Sequence, residues 1–160
     1  MNVDKKTGLI HEWTLICQST SIDKESGSLS LFNVTDKIRI SKEHFEKHIA
    51  KDGEKGFVVP ADFEIVSVWS KTNRDPLSLE VKTETVDPYG EPLFRFSYNI
   101  FLKEGRQKVR NRSKIKGFKI TGAGLYVINL SIRKDEGEEF RPIARVDIEV
   151  VLSDLKKGGK

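Results

Sequence analysis

"LSLEVKTETVDPYGEPLFRFSYNIFL", residues 77–102, decides the fold. Leu77, Leu79 and Val81 alternate with Ser78, Glu80 and Lys82, and beyond the turn Phe94, Phe96, Tyr98 and Ile100 alternate with Arg95, Ser97 and Asn99. A period of two marks a strand with one face buried, because successive side chains point to opposite faces of a sheet. Between the runs, Asp87-Pro88-Tyr89-Gly90 offers a proline that fixes φ and a glycine that accepts φ > 0, which is tight-turn chemistry. The stretch therefore reads as an antiparallel hairpin.

The same period continues on both sides. In "LIHEWTLICQ" (9–18), Leu9, Trp13, Leu15 and Cys17 form one apolar face against Glu12, Thr14 and Gln18, with His11 interrupting the apolar row. "GSLSLFNVTDKIRI" (27–40) alternates too, but its register changes in the middle, as one β-bulge would produce. "FEIVSVWSKT" (63–72) is apolar on both faces, with Phe63, Ile65, Ser67 and Trp69 opposite Val66 and Val68, the pattern of a central strand. In "GLYVINLSIR" (124–133), Tyr126, Ile128, Leu130 and Ile132 should face the core; "EFRPIARVDIEVVL" (139–152) closes the series, with Pro142 early enough to suit an edge or a strand entry.

A helical period occurs once, in "SKEHFEKHIAKDG" (41–53). Ser41 can cap it, Phe45 and Ile49 lie four apart, Glu43 and Lys47 form an i,i+4 pair, and Gly53 ends it. The expected fold is all-β: a two-sheet antiparallel sandwich of about eight strands, immunoglobulin-like, with a short helix after the second strand. Residues 1–160 are expected to form a single domain with a helical insertion at about 41–51 and a flexible tail at about 155–160.

Charge adds a second feature. The chain carries a net +4, yet residues 105–134 hold nine Lys or Arg and no Asp or Glu, so the remainder is acidic by five charges. Within "GRQKVRNRSKIKG" (105–117), Arg106, Lys108, Arg110, Arg112, Lys114 and Lys116 occupy every second position. On a strand they would share one face, opposite the weakly apolar Gln107, Val109, Asn111, Ser113, Ile115 and Gly117, as expected of an edge strand or partial loop. Lys and Arg protect exposed sheet edges from further pairing, which explains such a row without any ligand. The functional alternative is a surface for an acidic protein or a polyanion. Single-strand nucleic-acid binders add aromatic stacking platforms, and no Phe, Tyr or Trp lies between Phe101 and Phe118.

Other candidates are explained by folding. His44 and His48 stand one helical turn apart, a spacing that serves zinc, but Glu46 is not at the metalloprotease position immediately after the first histidine. Cys17 is in phase with Trp13 and Leu15, as a buried thiol would be. Asp87 and Glu91 flank a turn, Asp62 and Glu64 open a strand, and the Gly122–Gly124 repeat precedes a strand rather than the helix a phosphate cradle needs.

From about Cys17 to Val150, through "GSLSLFNVTDKI", "PADFEIVSVW", "VDPYGEPL" and "GAGLYVINLSI", the chain resembles a group of small bacterial β-sandwich proteins of unknown function. The resemblance implies immunoglobulin-like architecture and carries over no catalytic residue, and the segment at 41–51 looks like an insertion relative to that pattern. With one cysteine, no signal-peptide pattern and no apolar run long enough to cross a bilayer, the expected setting is the cytoplasm.

The expected function is that of a non-enzymatic protein-interaction module without catalytic residues, cofactor or metal. The alternatives are an adaptor that holds nucleic acid or another polyanion along Arg106 to Lys116, and a metal-dependent hydrolase using His44 and His48. The expected partner is another protein, with no membrane involved.

Overall fold

A computed structural model describes residues 1–52 and 56–154. Gly53, the expected end of the helix, and the expected tail at 155–160 lie outside the described residues. The described chain folds as β1 (Asn2–Asp4), β2 (Leu9–Ile22), β3 (Leu29–Val34), β4 (Lys37–Ser41), α1 (Lys42–Asp52), β5 (Phe57–Lys71), β6 (Leu77–Val86), β7 (Pro92–Leu102), β8 (Lys108–Ile120), β9 (Gly124–Arg133) and β10 (Arg141–Ser153).

Two sheets form a sandwich. Sheet A has the order β1-β2-β5-β8, with β3 also paired to β2; sheet B has the order β4-β10-β9-β6-β7. All pairings are antiparallel except β4 with β10, whose parallel register runs from Lys37 opposite Glu149 to Ser41 opposite Ser153. No helix among the described residues is long and apolar enough to cross a membrane.

The core lies where the alternation places it. Trp69 and Ile65 of β5, Leu79 and Val81 of β6, and Tyr126, Ile128, Leu130 and Ile132 of β9 are all buried between the layers. Full burial of each large aliphatic chain contributes about 1.5–3 kcal/mol relative to exposure, offset by ordering entropy. Tyr126 also ties down the entry to β9: its hydroxyl accepts from the amides of Thr121 (2.8 Å) and Gly122 (3.1 Å) and donates to the Gly122 carbonyl (2.9 Å). The β6–β7 turn is held by Asp87, whose Oδ1 accepts from the amides of Tyr89 (2.9 Å) and Glu91 (2.8 Å), while Gly90 takes φ 89°. Pro142 sits at the entry to β10, an interior strand, beside an irregularity in its pairing with β9.

Two local expectations are corrected. The run at 27–40 is two strands in different sheets and not one bulged strand: Asn33 adopts a left-handed φ of 51°, and the chain crosses between layers at Thr35–Asp36. The face assignment of β2 also changes. A bulge between His11 and Trp13 leaves Leu9 and His11 facing the core and turns Trp13, Leu15 and Cys17 to the outer face of sheet A, opposite Val68, Val66 and Glu64. Thr14 and Ile16 take over the inner positions. Helix α1 starts as expected, with the Ser41 hydroxyl accepting from the His44 amide (3.3 Å), and Phe45 is buried against the core.

Candidate binding face

Strand β8 forms one edge of sheet A, paired among the described residues on one side only, with β5. Lys108, Arg110, Arg112, Lys114 and Lys116 all point outward and are exposed, while Val109, Asn111, Ser113 and Ile115 between them are half-buried. The row spans about 26 Å at ~3.3 Å per residue. Arg106 lies outside the strand, in the turn after β7, where its amide bonds to the Lys103 carbonyl (3.0 Å). That turn is anchored by the buried Lys71, whose ammonium donates to the carbonyls of Lys103 (3.0 Å), Arg74 (3.2 Å) and Asp75.

Gly117 ends the row. At φ 74° it sits beside the irregularity in the β5–β8 ladder, and past it the alternation inverts, so that Phe118 and Ile120 are buried and Lys119 is exposed. The glycine thus separates a basic, solvent-facing half of β8 from a half that belongs to the core.

The cations are not an isolated row. Lys108 Nζ pairs with Glu12 Oε2 at 2.8 Å, and that contact, more than any other, holds the Glu12 carboxyl below the usual glutamate range. Arg110 donates to the Gly27 carbonyl at the tip of the β2–β3 hairpin (2.8 Å). Arg112 donates to Thr20 Oγ1 (2.9 Å), which in turn donates to Glu64 Oε2 (2.6 Å). Across the ladder, Lys114 stands opposite Glu64 and Lys116 opposite Asp62, and neither lysine has a hydrogen-bond or ion-pair partner among the described residues.

The hairpin contacts define a cleft of ≈ 450 Å³ at one end of this face. Trp13 of β2, Val68 of β5, and Leu29 and Leu31 of β3 contribute apolar surface, while Glu12, Arg106, Lys108 and Arg110 supply charge of both signs. Its size falls in the range of ligand-holding clefts. The basic run itself holds no aromatic residue; the fold supplies Trp13 from β2. Only His11, as a polar break in an apolar row, signalled the bulge that turns Trp13 outward.

The remaining candidates lie elsewhere. His44 and His48 are on α1 with ring centroids 4.2 Å apart, and both rings pack on Phe57, at 5.7 and 5.1 Å. His48 Nδ1–H donates to the His44 carbonyl (2.9 Å), and among the described residues no three His, Cys, Asp or Glu gather as a metal cluster would. Cys17 is buried beneath the Glu64 carbonyl (Sγ to O 3.8 Å); burial first, and the Glu64 charge second, push its thiol up, away from the reactive thiolate.

No family model matches the chain, and no curated relative does. Among solved structures, the C-terminal domain of wzt is similar over 96% of this chain and 84% of its own, with a TM-score of 0.51 and 11% identity. Bacteroides uniformis beta-glucuronidase 2 is similar over 57% of this chain, with a TM-score of 0.45 and 16% identity, and the chain spans only 12% of that protein's length. Pseudomonas fluorescens alkylpurine DNA glycosylase AlkC is similar over 90% of this chain and 30% of its own, at 0.49 and 8%. At these identities, the likeness to the wzt domain is one of fold alone.

Proposed function

We propose that the protein is a non-enzymatic interaction module that docks another protein on the basic outer face of sheet A. The observation that carries this reading is the mixed chemistry of that face. Cations, the carboxylates of Glu12 and Asp62, the Trp13 indole and the aliphatic chains of Leu29 and Leu31 share one surface, with the buried Glu64 carboxylate held beneath it by Thr20. Protein interfaces combine aromatic and aliphatic anchors with a charged rim, whereas a phosphate-tracking groove gains nothing from interleaved carboxylates. The resemblance to small bacterial sandwich proteins and a cytoplasmic setting belong to the same proposal; the buried, unpaired Cys17 is consistent with a reducing compartment.

The polyanion alternative draws on Lys114 and Lys116, which hold no partner among the described residues. Salt separates the two readings. In a pull-down from the native cell, a protein partner should stay bound at moderate salt and be lost when Arg106, Lys114 and Lys116 are changed together to Glu. A partner retained by that variant, or retention on heparin or DNA that falls steeply with salt and with no protein recovered, would overturn the proposal.

A further inference from the structure

We infer that the occupant of this face is an extended segment of an acidic partner, added to sheet A as a further strand beside β8, with acidic and apolar residues alternating along it. The inference rests on the interaction-module reading and specifies its partner.

Three features converge on β8. First, the strand is long and, among the described residues, hydrogen-bonded to a neighbour on one side only, so along Lys108–Lys116 alternate backbone N–H and C=O groups face away from the sheet. Backbone pairing to such an edge supplies affinity, and side-chain alternation supplies selectivity. Second, the outward positions of this edge are uniformly basic. Opposite charges directly across a ladder stabilise the pairing, and like charges destabilise it. An added strand with Asp or Glu on that face is favoured, and a second copy of β8 is disfavoured, because it would set Lys and Arg against Lys and Arg.

Third, the opposite face of β8 is only partly covered. Val109, Asn111, Ser113 and Ile115 are half-buried, as are Phe94, Phe96 and Tyr98 of β7, an edge strand of sheet B. These three rings form a row with centroids 6.4 Å apart at each step. The two sheets therefore meet at β7 and β8 with their inward side chains incompletely enclosed. Every second residue of an added strand would point to this side, where an apolar side chain would extend the core. The irregularity at Gly117 sets the limit of the added strand, since beyond it the faces of β8 exchange.

The test uses a fluorescent peptide alternating Glu with Val, matched in length to Lys108–Lys116, against a peptide of the same composition with its acids contiguous. The alternating peptide should bind roughly tenfold more tightly or better. Its binding should slow hydrogen exchange at the β8 amides that face away from β5. Lys114→Glu with Lys116→Glu should weaken that binding roughly tenfold or more, with circular dichroism confirming the sheet, and a peptide alternating Lys with Val should not bind the unaltered protein. Equal binding of the two acidic peptides with β8 exchange unchanged would overturn strand addition while leaving acidic docking on the face intact. Alternation-dependent binding indifferent to both charge reversals would overturn the choice of an acidic occupant.

Discussion

His11 sits where β2 changes faces. Its ring lies edge-on to Trp69 at 5.0 Å, and its Nε2 is 2.7 Å from Thr14 Oγ1, which continues to Ser67 Oγ at 2.8 Å. Burial, with the N-terminal ammonium adding a smaller effect, lowers its pKa from 6.5 to about 4. Between those values the unfolded chain takes up a proton that the native state refuses, so this contribution to stability is complete above pH 6.5 and is lost as pH falls toward 4. His11→Gln, which cannot titrate, should flatten the dependence of Tm on pH across that window; an unchanged slope would show that His11 does not carry it. At this scale the sequence was a partial guide. Alternation placed Tyr126, Ile128, Leu130 and Ile132 correctly, but a one-residue bulge reverses every side chain beyond it, and nothing in "LIHEWTLICQ" except the histidine marks its place.

Strand β8 shows how one glycine organises an element. A Cβ at Gly117 would lie 2.5 Å from Val58 Cγ1 and 3.3 Å from the Val59 carbonyl, in a left-handed conformation that other residues adopt at a cost. Gly117→Ala should therefore destabilise the fold by about 1–3 kcal/mol in denaturant unfolding. A loss under a few tenths would mean that the bulge relaxes without it. The basic row was legible from spacing, because period two needs no tertiary information. Its partners were not: pairing with Glu12, Gly27 and Thr20 depends on how the β2–β3 hairpin returns over the sheet, and the facing of Lys114 and Lys116 with Glu64 and Asp62 depends on ladder register. Both are set by contacts between residues far apart in the chain.

Across the whole molecule, two sheets consume the apolar alternation, and their margins decide what is left for a partner. Composition and turn chemistry sufficed to indicate a sandwich with β5 central. The weakly apolar inner positions of the basic run did mark it as an edge. Nothing in the sequence divided 27–40 between layers, paired β4 in parallel with β10, or named β5 as the neighbour of β8, since strand order follows from which faces match and not from any single segment. That free edge is the premise of the proposed docking. Hydrogen exchange resolved to single amides in the unliganded protein examines it most directly. Along Lys108–Lys116, amides bonded to β5 should exchange slowly and those between them quickly, giving alternation at a period of two. Uniformly slow exchange along that stretch would mean that the edge is already covered, and would contradict the account.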